Sequence, residues 1–149
     1  MAKKIVIIGG VAGGSTAATR LRRLSEEDEI VLFEKGPYIS FANCGLPYHV
    51  GGVIKNREDL LLQTPEGMGA QYGLDIRVKS EVLEIMPAQH AVRVKNQVTG
   101  ETYEEVYDKL IISTGAKAIL PAIEGLDEAD NVFSLRNIPD MDKVKAYVA

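Results

Sequence analysis

The sequence predicts an α/β fold: a parallel sheet covered by helices, with an antiparallel β-meander to one side. Three observations predict it. Ile5-Val6-Ile7-Ile8 runs straight into Gly9-Gly10-Val11-Ala12-Gly13-Gly14, and a stretch of small residues at helical spacing follows. An unbroken apolar run closed by glycine reads as a strand buried on both faces, as in parallel sheets. Val31-Leu32-Phe33 and Leu110-Ile111-Ile112-Ser113 repeat the apolar pattern, the second ending in Thr114-Gly115-Ala116. Between them, Ala91-Val92-Arg93-Val94 alternates apolar and charged residues, and Thr99-Gly100 turns it into Glu101–Tyr107, as in a half-exposed antiparallel ribbon.

The first strand and its glycine turn aim the N-terminus of a helix at whatever occupies the turn. Free backbone N–H groups and the helix dipole favour an anion there, typically a pyrophosphate. Gly9 permits the sharp exit from the strand. Gly14, with Ala17 and Ala18, lets the helix lie close on the sheet. A G-x-G-x-x-G pattern counted from Gly9 would place glycine at position 11, where the chain has Val11. Gly10 and Gly13 are then left to provide the close approach of a phosphate. Glu34 lies 20 residues after Gly14, the spacing at which an acid meets a ribose hydroxyl. The alternative is a solvated strand end.

The helix is predicted over Ala12–Leu24, with Gly14, Ala17, Ala18, Leu21 and Leu24 as its buried stripe. Thr16, Arg20 and Arg23 fall on another face. The cations Arg20, Arg22 and Arg23 either complement the helix C-terminus or, for Arg20 and Arg23, meet a phosphorylated substrate. Ser25-Glu26-Glu27-Asp28 is an acidic turn into a strand over Glu29–Glu34.

Gly36-Pro37 then turns the chain. Asn43 is expected to cap a short helix that begins at Cys44 and stops at Gly51-Gly52. A thiol at a helix N-terminus is favoured as thiolate, and in a doubly wound fold this segment crosses the mouth of the cleft. The alternative is a buried structural cysteine. Gly51–Leu62 reads as surface loop and short helix. Thr64 caps a helix with Pro65 in its first position, weakened by Gly67 and Gly69 and ending near Gly73. Leu74–Val78 is a strand, with Glu81–Ile85 as its continuation in one ladder. The tail holds Leu120-Pro121, a short strand over Val132–Leu135, and a last helix after Ile138-Pro139-Asp140.

Composition sets bounds. At 149 residues, 46% hydrophobic and 26% charged, the chain can build a globular core. A net charge of −4 points away from nucleic acid. No apolar run nears the roughly 20 residues of a membrane span, and Ile5–Ile8 is too short for a signal-peptide core. One cysteine excludes an internal disulfide and fits a reducing compartment, so a cytoplasmic setting is expected. His49 and His90, far apart, suggest surface or packing roles and no metal site.

Three segments resemble the N-terminal part of the flavin-dependent pyridine nucleotide–disulfide oxidoreductases, and within them the coenzyme A–disulfide reductases, including forms with a C-terminal rhodanese domain. Gly9-Gly10-Val11-Ala12-Gly13-Gly14 is similar to that subgroup's flavin fingerprint. Ser40-Phe41-Ala42-Asn43-Cys44-Gly45-Leu46-Pro47-Tyr48 matches its single-cysteine motif. Tyr107-Asp108-Lys109-Leu110-Ile111-Ile112-Ser113-Thr114-Gly115-Ala116 matches its second flavin-contact strand.

The resemblance implies a Rossmann-like FAD-binding domain over 1–116 and a connector with a helix over 117–149. It implies Cys44 as the redox-active residue. Gly9, Gly10, Val11, Ala12, Gly13, Gly14, Glu34, Lys35, Asn43, Val82, Thr114, Gly115 and Ala116 would hold FAD. Thr16, Arg20, Arg23, Ser40 and Asn43 would contact coenzyme A. Close relatives often carry a basic residue near Gln71-Tyr72, where this chain has none. The implied substrate is coenzyme A disulfide or a CoA persulfide, with neither nucleic acid nor membrane as partner. Such enzymes are several hundred residues long and homodimeric, and NAD(P)H binds a domain beyond this region. The chain is therefore expected to be an FAD-binding portion of such an enzyme, inactive alone. NADH oxidase chemistry and a non-catalytic dinucleotide-binding module are the other readings.

Overall fold

The computed structural model describes residues 1–148. Its elements are β1 (Lys4–Ile8), α1 (Ala12–Leu24), β2 (Glu29–Phe33), α2 (Leu46–Val50), α3 (Pro65–Tyr72), β3 (Asp75–Arg77), β4 (Ser80–Met86), β5 (Ala91–Asn96), β6 (Thr102–Val106), β7 (Lys109–Ile112) and α4 (Ile138–Val148). The chain forms two compact units. One comprises Met1–Phe41 with Leu61–Gly115, the other Ala42–Leu60 with Ala116–Ala149.

The first unit has three layers. Its central sheet runs β3-β2-β1-β7, and every pairing is parallel. Alternation along the strands decides what each face meets. Ile5, Ile7, Ile30 and Leu32 pack with Ala18 of α1, Met68 of α3, Ile39 and Leu74. Val6, Ile8, Val31 and Phe33 pack with Val92 and Val94 of β5. Both faces of β1 and β2 are thus covered, which is why these strands carry no polar alternation.

The second sheet, β4-β5-β6, is the antiparallel meander. Glu81–Ile85 belongs to it and does not extend β3. Lys79, in the left-handed region at φ 51°, breaks the chain between the two sheets. β7 departs from expectation in burial: Leu110 and Ile111 are half-buried and Ile112 is exposed, because β7 is an edge strand. Leu24 is exposed too, so the apolar stripe of α1 ends at Leu21. The α3 caps are as expected: Thr64 Oγ1 accepts the Gly67 N–H at 3.0 Å, and Gly73 closes the helix at φ 59°.

The second unit contains α2 and α4, with 3-10 turns over Asn43–Gly45 and Arg57–Leu60. Lys145 Nζ donates to the His49 and Val50 carbonyls at the end of α2, at 3.1 and 3.2 Å. Arg57 binds Asp142 of α4 through two 2.7 Å hydrogen bonds. The strand expected over Val132–Leu135 is absent. No neighbouring strand among the described residues pairs with it, and Phe133 instead packs on Tyr147 with ring centroids 5.0 Å apart.

Candidate functional site

From β1 the chain steps outward through β2 to β3, then places β7 on the opposite side of β1. The reversal puts a crevice at the carboxyl end of β1, where open α/β sheets bind ligands. The glycine turn lies there. The Gly9 N–H donates to the Phe33 carbonyl at 2.8 Å. Gly9 has φ 100°, and a Cβ on it would stand 2.2 Å from the Ser113 carbonyl oxygen at the end of β7. A Cβ on Gly14 would stand 1.7 Å from the Gly9 oxygen. Both assignments made from sequence therefore hold.

Gly10 and Gly13 have a packing reason that the spacing did not show. At Gly10 a Cβ would meet the side chains of Ile39 and Leu32 at 2.8 and 2.9 Å, and at Gly13 the Ser113 Oγ at 2.5 Å. These two glycines let the turn pack against its own scaffold.

The start of α1 remains a fitting anion site. Val11 stands at the cap position, no side chain caps the helix, and its first turn holds no acid. Ala12 and Gly13 are exposed. With the dipole, these N–H groups suit a dinucleotide's pyrophosphate. The Gly10 peptide is already engaged: its N–H donates to Glu34 Oε2 at 2.8 Å, and its oxygen accepts from Ser15 Oγ at 2.5 Å and from the Ser40 N–H at 3.0 Å. Glu34 Oε1 accepts the Gly36 N–H at 2.7 Å. Glu34 is half-buried and bonded, not a solvated strand end.

The other residues named from sequence fall around this end of the sheet or apart from it. Thr114 and Gly115 follow β7 and are exposed, as is Lys35. Val82 packs its side chain against the cluster of Val6, Ile8, Val31 and Phe33. Ser40 sits in the left-handed region at φ 43°, and its carbonyl accepts the Leu62 N–H at 3.1 Å. Thr16, Arg20 and Arg23 are exposed along α1.

Of the three arginines of α1, Arg22 serves the helix C-terminus. Arg22 donates to the carbonyls of Ser25, Glu26, Tyr72 and Gly73 at 2.7–3.2 Å, tying the ends of α1 and α3 together. Its partners Tyr72 and Gly73 are about fifty positions away, so local spacing gave no sign of them. An open cleft of about 510 Å³ lies beside it, lined also by Arg23, Glu26 and Gln71.

In the second unit, Cys44 is exposed, which removes the buried structural reading. Asn43 does not cap a helix at Cys44. It opens the 3-10 turn, Ala42 precedes it without a side-chain cap, and α2 begins only at Leu46. The reason lies at Pro47, which has no N–H to donate and so is set within the first turn of α2; a helix begun at Cys44 would place it past that turn. Asn43 and Ala116 are exposed. His49 is buried with Nδ1 2.9 Å from the Ile54 carbonyl. In the first unit, the His90 ring packs tilted against Tyr107, with centroids 5.8 Å apart. No helix among the described residues is long and apolar enough to cross a membrane.

The sequence profile of the pyridine nucleotide-disulphide oxidoreductases, FAD- and NAD(P)H-binding enzymes, matches residues 3–148. The coenzyme A disulfide reductase of Staphylococcus aureus (strain JH9) is 41% identical over 145 residues, which cover 97% of this chain and 32% of that protein. The chain thus spans about a third of the length of the curated relatives it matches. The crystal structure of reduced Bacillus anthracis CoADR-RHD superposes with a TM-score of 0.97 at 57% identity, covering 99% of this chain and 27% of that one. An NAD-dependent persulfide reductase from A. fulgidus gives 0.91 at 32% identity, covering 97% and 27%. With a match over nearly its whole length, the chain belongs to the pyridine nucleotide-disulphide oxidoreductase family.

Proposed function

We propose that this chain is the FAD-binding portion of a coenzyme A–disulfide reductase, with Cys44 as the residue that exchanges with the substrate. The observation that carries the reading is the exposure of the chain's only thiol. It stands in a segment matching the single-cysteine motif, in a chain 41% identical to a coenzyme A disulfide reductase.

The residues divide the work by chemistry. The uncapped N–H groups at Ala12 and Gly13 suit the pyrophosphate of FAD, and Glu34 keeps lone pairs for a ribose diol. Thr114 and Gly115 offer exposed backbone at the neighbouring strand end. Roles for Gly9, Gly10, Val11, Gly14, Lys35, Asn43, Val82 and Ala116 in holding FAD, and for Thr16, Ser40 and Asn43 in holding substrate, rest on the resemblance. Arg20 and Arg23 are the cations assigned to coenzyme A phosphates, since Arg22 is spent on carbonyls. When bound and reduced by NAD(P)H, FAD would supply the two electrons that return Cys44 to its thiolate and release the second coenzyme A.

The thiolate of Cys44 attacks one sulfur of the substrate disulfide. The substrate S–S bond breaks, one coenzyme A leaves as thiolate and takes a proton from water, and a Cys44–CoA mixed disulfide remains. One protein cysteine suffices because the second sulfur comes from the substrate.

The test needs no turnover. The chain is incubated with coenzyme A disulfide, the released thiol is counted, and the intact mass is measured. We expect one CoA adduct per chain, reversed by dithiothreitol and absent in Cys44→Ser. An inert thiol in folded protein that binds FAD would reduce the reading to a dinucleotide-binding module.

A persulfide reductase is the second reading, favoured by the 32%-identical solved structure. It uses the same thiol, and the two differ in whether CoA persulfide reacts faster than coenzyme A disulfide.

A further inference from the structure

Glu34 does more at the turn than the spacing argument asks of it. Its backbone is fixed on both sides: its N–H donates to the Arg77 carbonyl and its own carbonyl accepts the Ser80 N–H, both at 3.0 Å. The carboxylate therefore projects from a rigid point. From there Oε2 reaches the Gly10 N–H at 2.8 Å and Oε1 the Gly36 N–H at 2.7 Å. The two amides belong to different segments, one entering α1 and the other leaving β2.

We infer that Glu34 is a positioning residue that holds the glycine turn in shape before any ligand arrives, by bridging the Gly10 and Gly36 amides. The inference rests on the dinucleotide reading above and goes beyond it, since that reading uses Glu34 only as an acceptor for ribose. A carboxylate has about four lone-pair sites, so two remain for a diol. Two charge-assisted N–H donors also disperse the negative charge that would otherwise stand bare beside a pyrophosphate site. Glutamine cannot do this. Its oxygen satisfies one amide, and its NH₂ turns a donor toward the other.

The test is amide hydrogen exchange by NMR on the ligand-free 149-residue chain and its Glu34→Gln variant. We expect exchange at Gly10 and Gly36 to quicken on the order of tenfold or more in the variant. Exchange at Gly9, whose N–H is held by the Phe33 carbonyl, should stay unchanged and report an intact fold. If Glu34→Gln does not fold, Glu34→Asp, which keeps the charge but is too short to span both amides, should speed at least one of them. Unchanged rates at both amides in a folded variant would overturn the inference.

A second readout uses FAD and inorganic pyrophosphate, titrated separately. A braced turn loses affinity for both in Glu34→Gln, whereas a pure diol acceptor loses affinity for FAD alone, and that result would also overturn the inference. Failure of the unmodified chain to bind FAD would count against the dinucleotide reading, while the exchange result would still decide the role of Glu34.

Discussion

Lys4 on β1 and Glu105 on β6 join the two sheets of the first unit, with Nζ 2.5 Å from Oε1. Glu105 is only 8% exposed, and its second oxygen meets Arg77 of β3, also at 2.5 Å. Lys4 reaches Glu29 as well, at 2.7 Å. Arg77 lies over the Phe33 ring, 5.4 Å from its centre, and donates to the Asp75 carboxylate and the Tyr103 hydroxyl. One carboxylate of the meander thus sits between two cations of the parallel sheet. These partners hold the Lys4 and Arg77 pKa values above their usual ranges, even though burial alone would pull both down.

Removing that carboxylate should therefore loosen the meander from the sheet. Glu105→Ala leaves two cations partly buried without their shared partner, and we expect a loss of about 3 kcal/mol. Glu105→Gln keeps hydrogen bonding and should cost less. The measurement is urea unfolding, read as a lower midpoint at unchanged slope. A change under about 0.5 kcal/mol for Glu105→Ala would mean that the apolar cluster around Val92 and Val94 alone fixes the meander.

Two glycine substitutions separate packing from backbone strain. Gly14→Ala drives a Cβ to within 1.7 Å of the Gly9 oxygen and 3.3 Å of Ile7 Cγ2. Backbone cannot step aside cheaply there, so we expect a loss of at least about 3 kcal/mol. Gly100 has φ 78° but nothing within 4 Å of its Cβ position. Gly100→Ala should cost only the left-handed strain, about 1 kcal/mol. Equal costs in thermal or urea unfolding would contradict the packing account of Gly14.

The parallel sheet was legible in the sequence because its strands announce themselves locally. Ile5–Ile8 and Val31–Phe33 are apolar throughout, and both prove buried on two faces. The helix Ala12–Leu24 and the caps Thr64 and Gly73 follow from residue type and spacing. What escaped depended on partners distant in the chain. Nothing near Glu81 says that its strand pairs with β5 and not with the sheet, and nothing near Ile112 says that it lies at an edge. In the site, the positive φ of Gly9 and the Gly9 oxygen beside Gly14 were local reasons, although the Ser113 carbonyl that also bars a Cβ on Gly9 was not. The reasons for Gly10 and Gly13 were not local, since Ile39 and Ser113 are brought to them only by the fold. Asn43 misled because an Asn before a short apolar run looks like a cap, while Pro47, confined to a first turn, fits a helix start at Leu46.

Acid should weaken the second unit at a definable point. The Arg57 hydrogen bonds hold the Asp142 carboxyl below its ordinary value of 3.8, against the opposing effect of burial. A lowered folded pKa means that the pair's stabilisation is present above pH 3.8 and lost as pH falls through the folded value. Asp142 is 42% exposed, so the contribution at neutral pH should stay within about 1 kcal/mol. Asp142→Asn should speed amide exchange along α4 at neutral pH, and the difference from the unmodified chain should vanish well below pH 3.8. A difference that persists undiminished in acid would show that the ion pair is not its cause.

The assignment of Arg20 and Arg23 to coenzyme A yields a test with an internal control. Both are exposed on α1, whereas Arg22 between them is bound to four carbonyls. Substituting both by glutamate should leave the fold alone, since exposed charges contribute little to stability. Coenzyme A disulfide carries several phosphate charges, and 2-hydroxyethyl disulfide carries none. Mixed-disulfide formation at Cys44 should therefore slow on the order of tenfold with coenzyme A disulfide in Arg20→Glu/Arg23→Glu and stay unchanged with 2-hydroxyethyl disulfide. The gap between the two proteins should narrow as salt rises, because the Debye length falls to about 3 Å at 1 M. Rates with coenzyme A disulfide that are equal in both proteins at low salt would remove these arginines from the substrate's contacts and leave Cys44 to act without them.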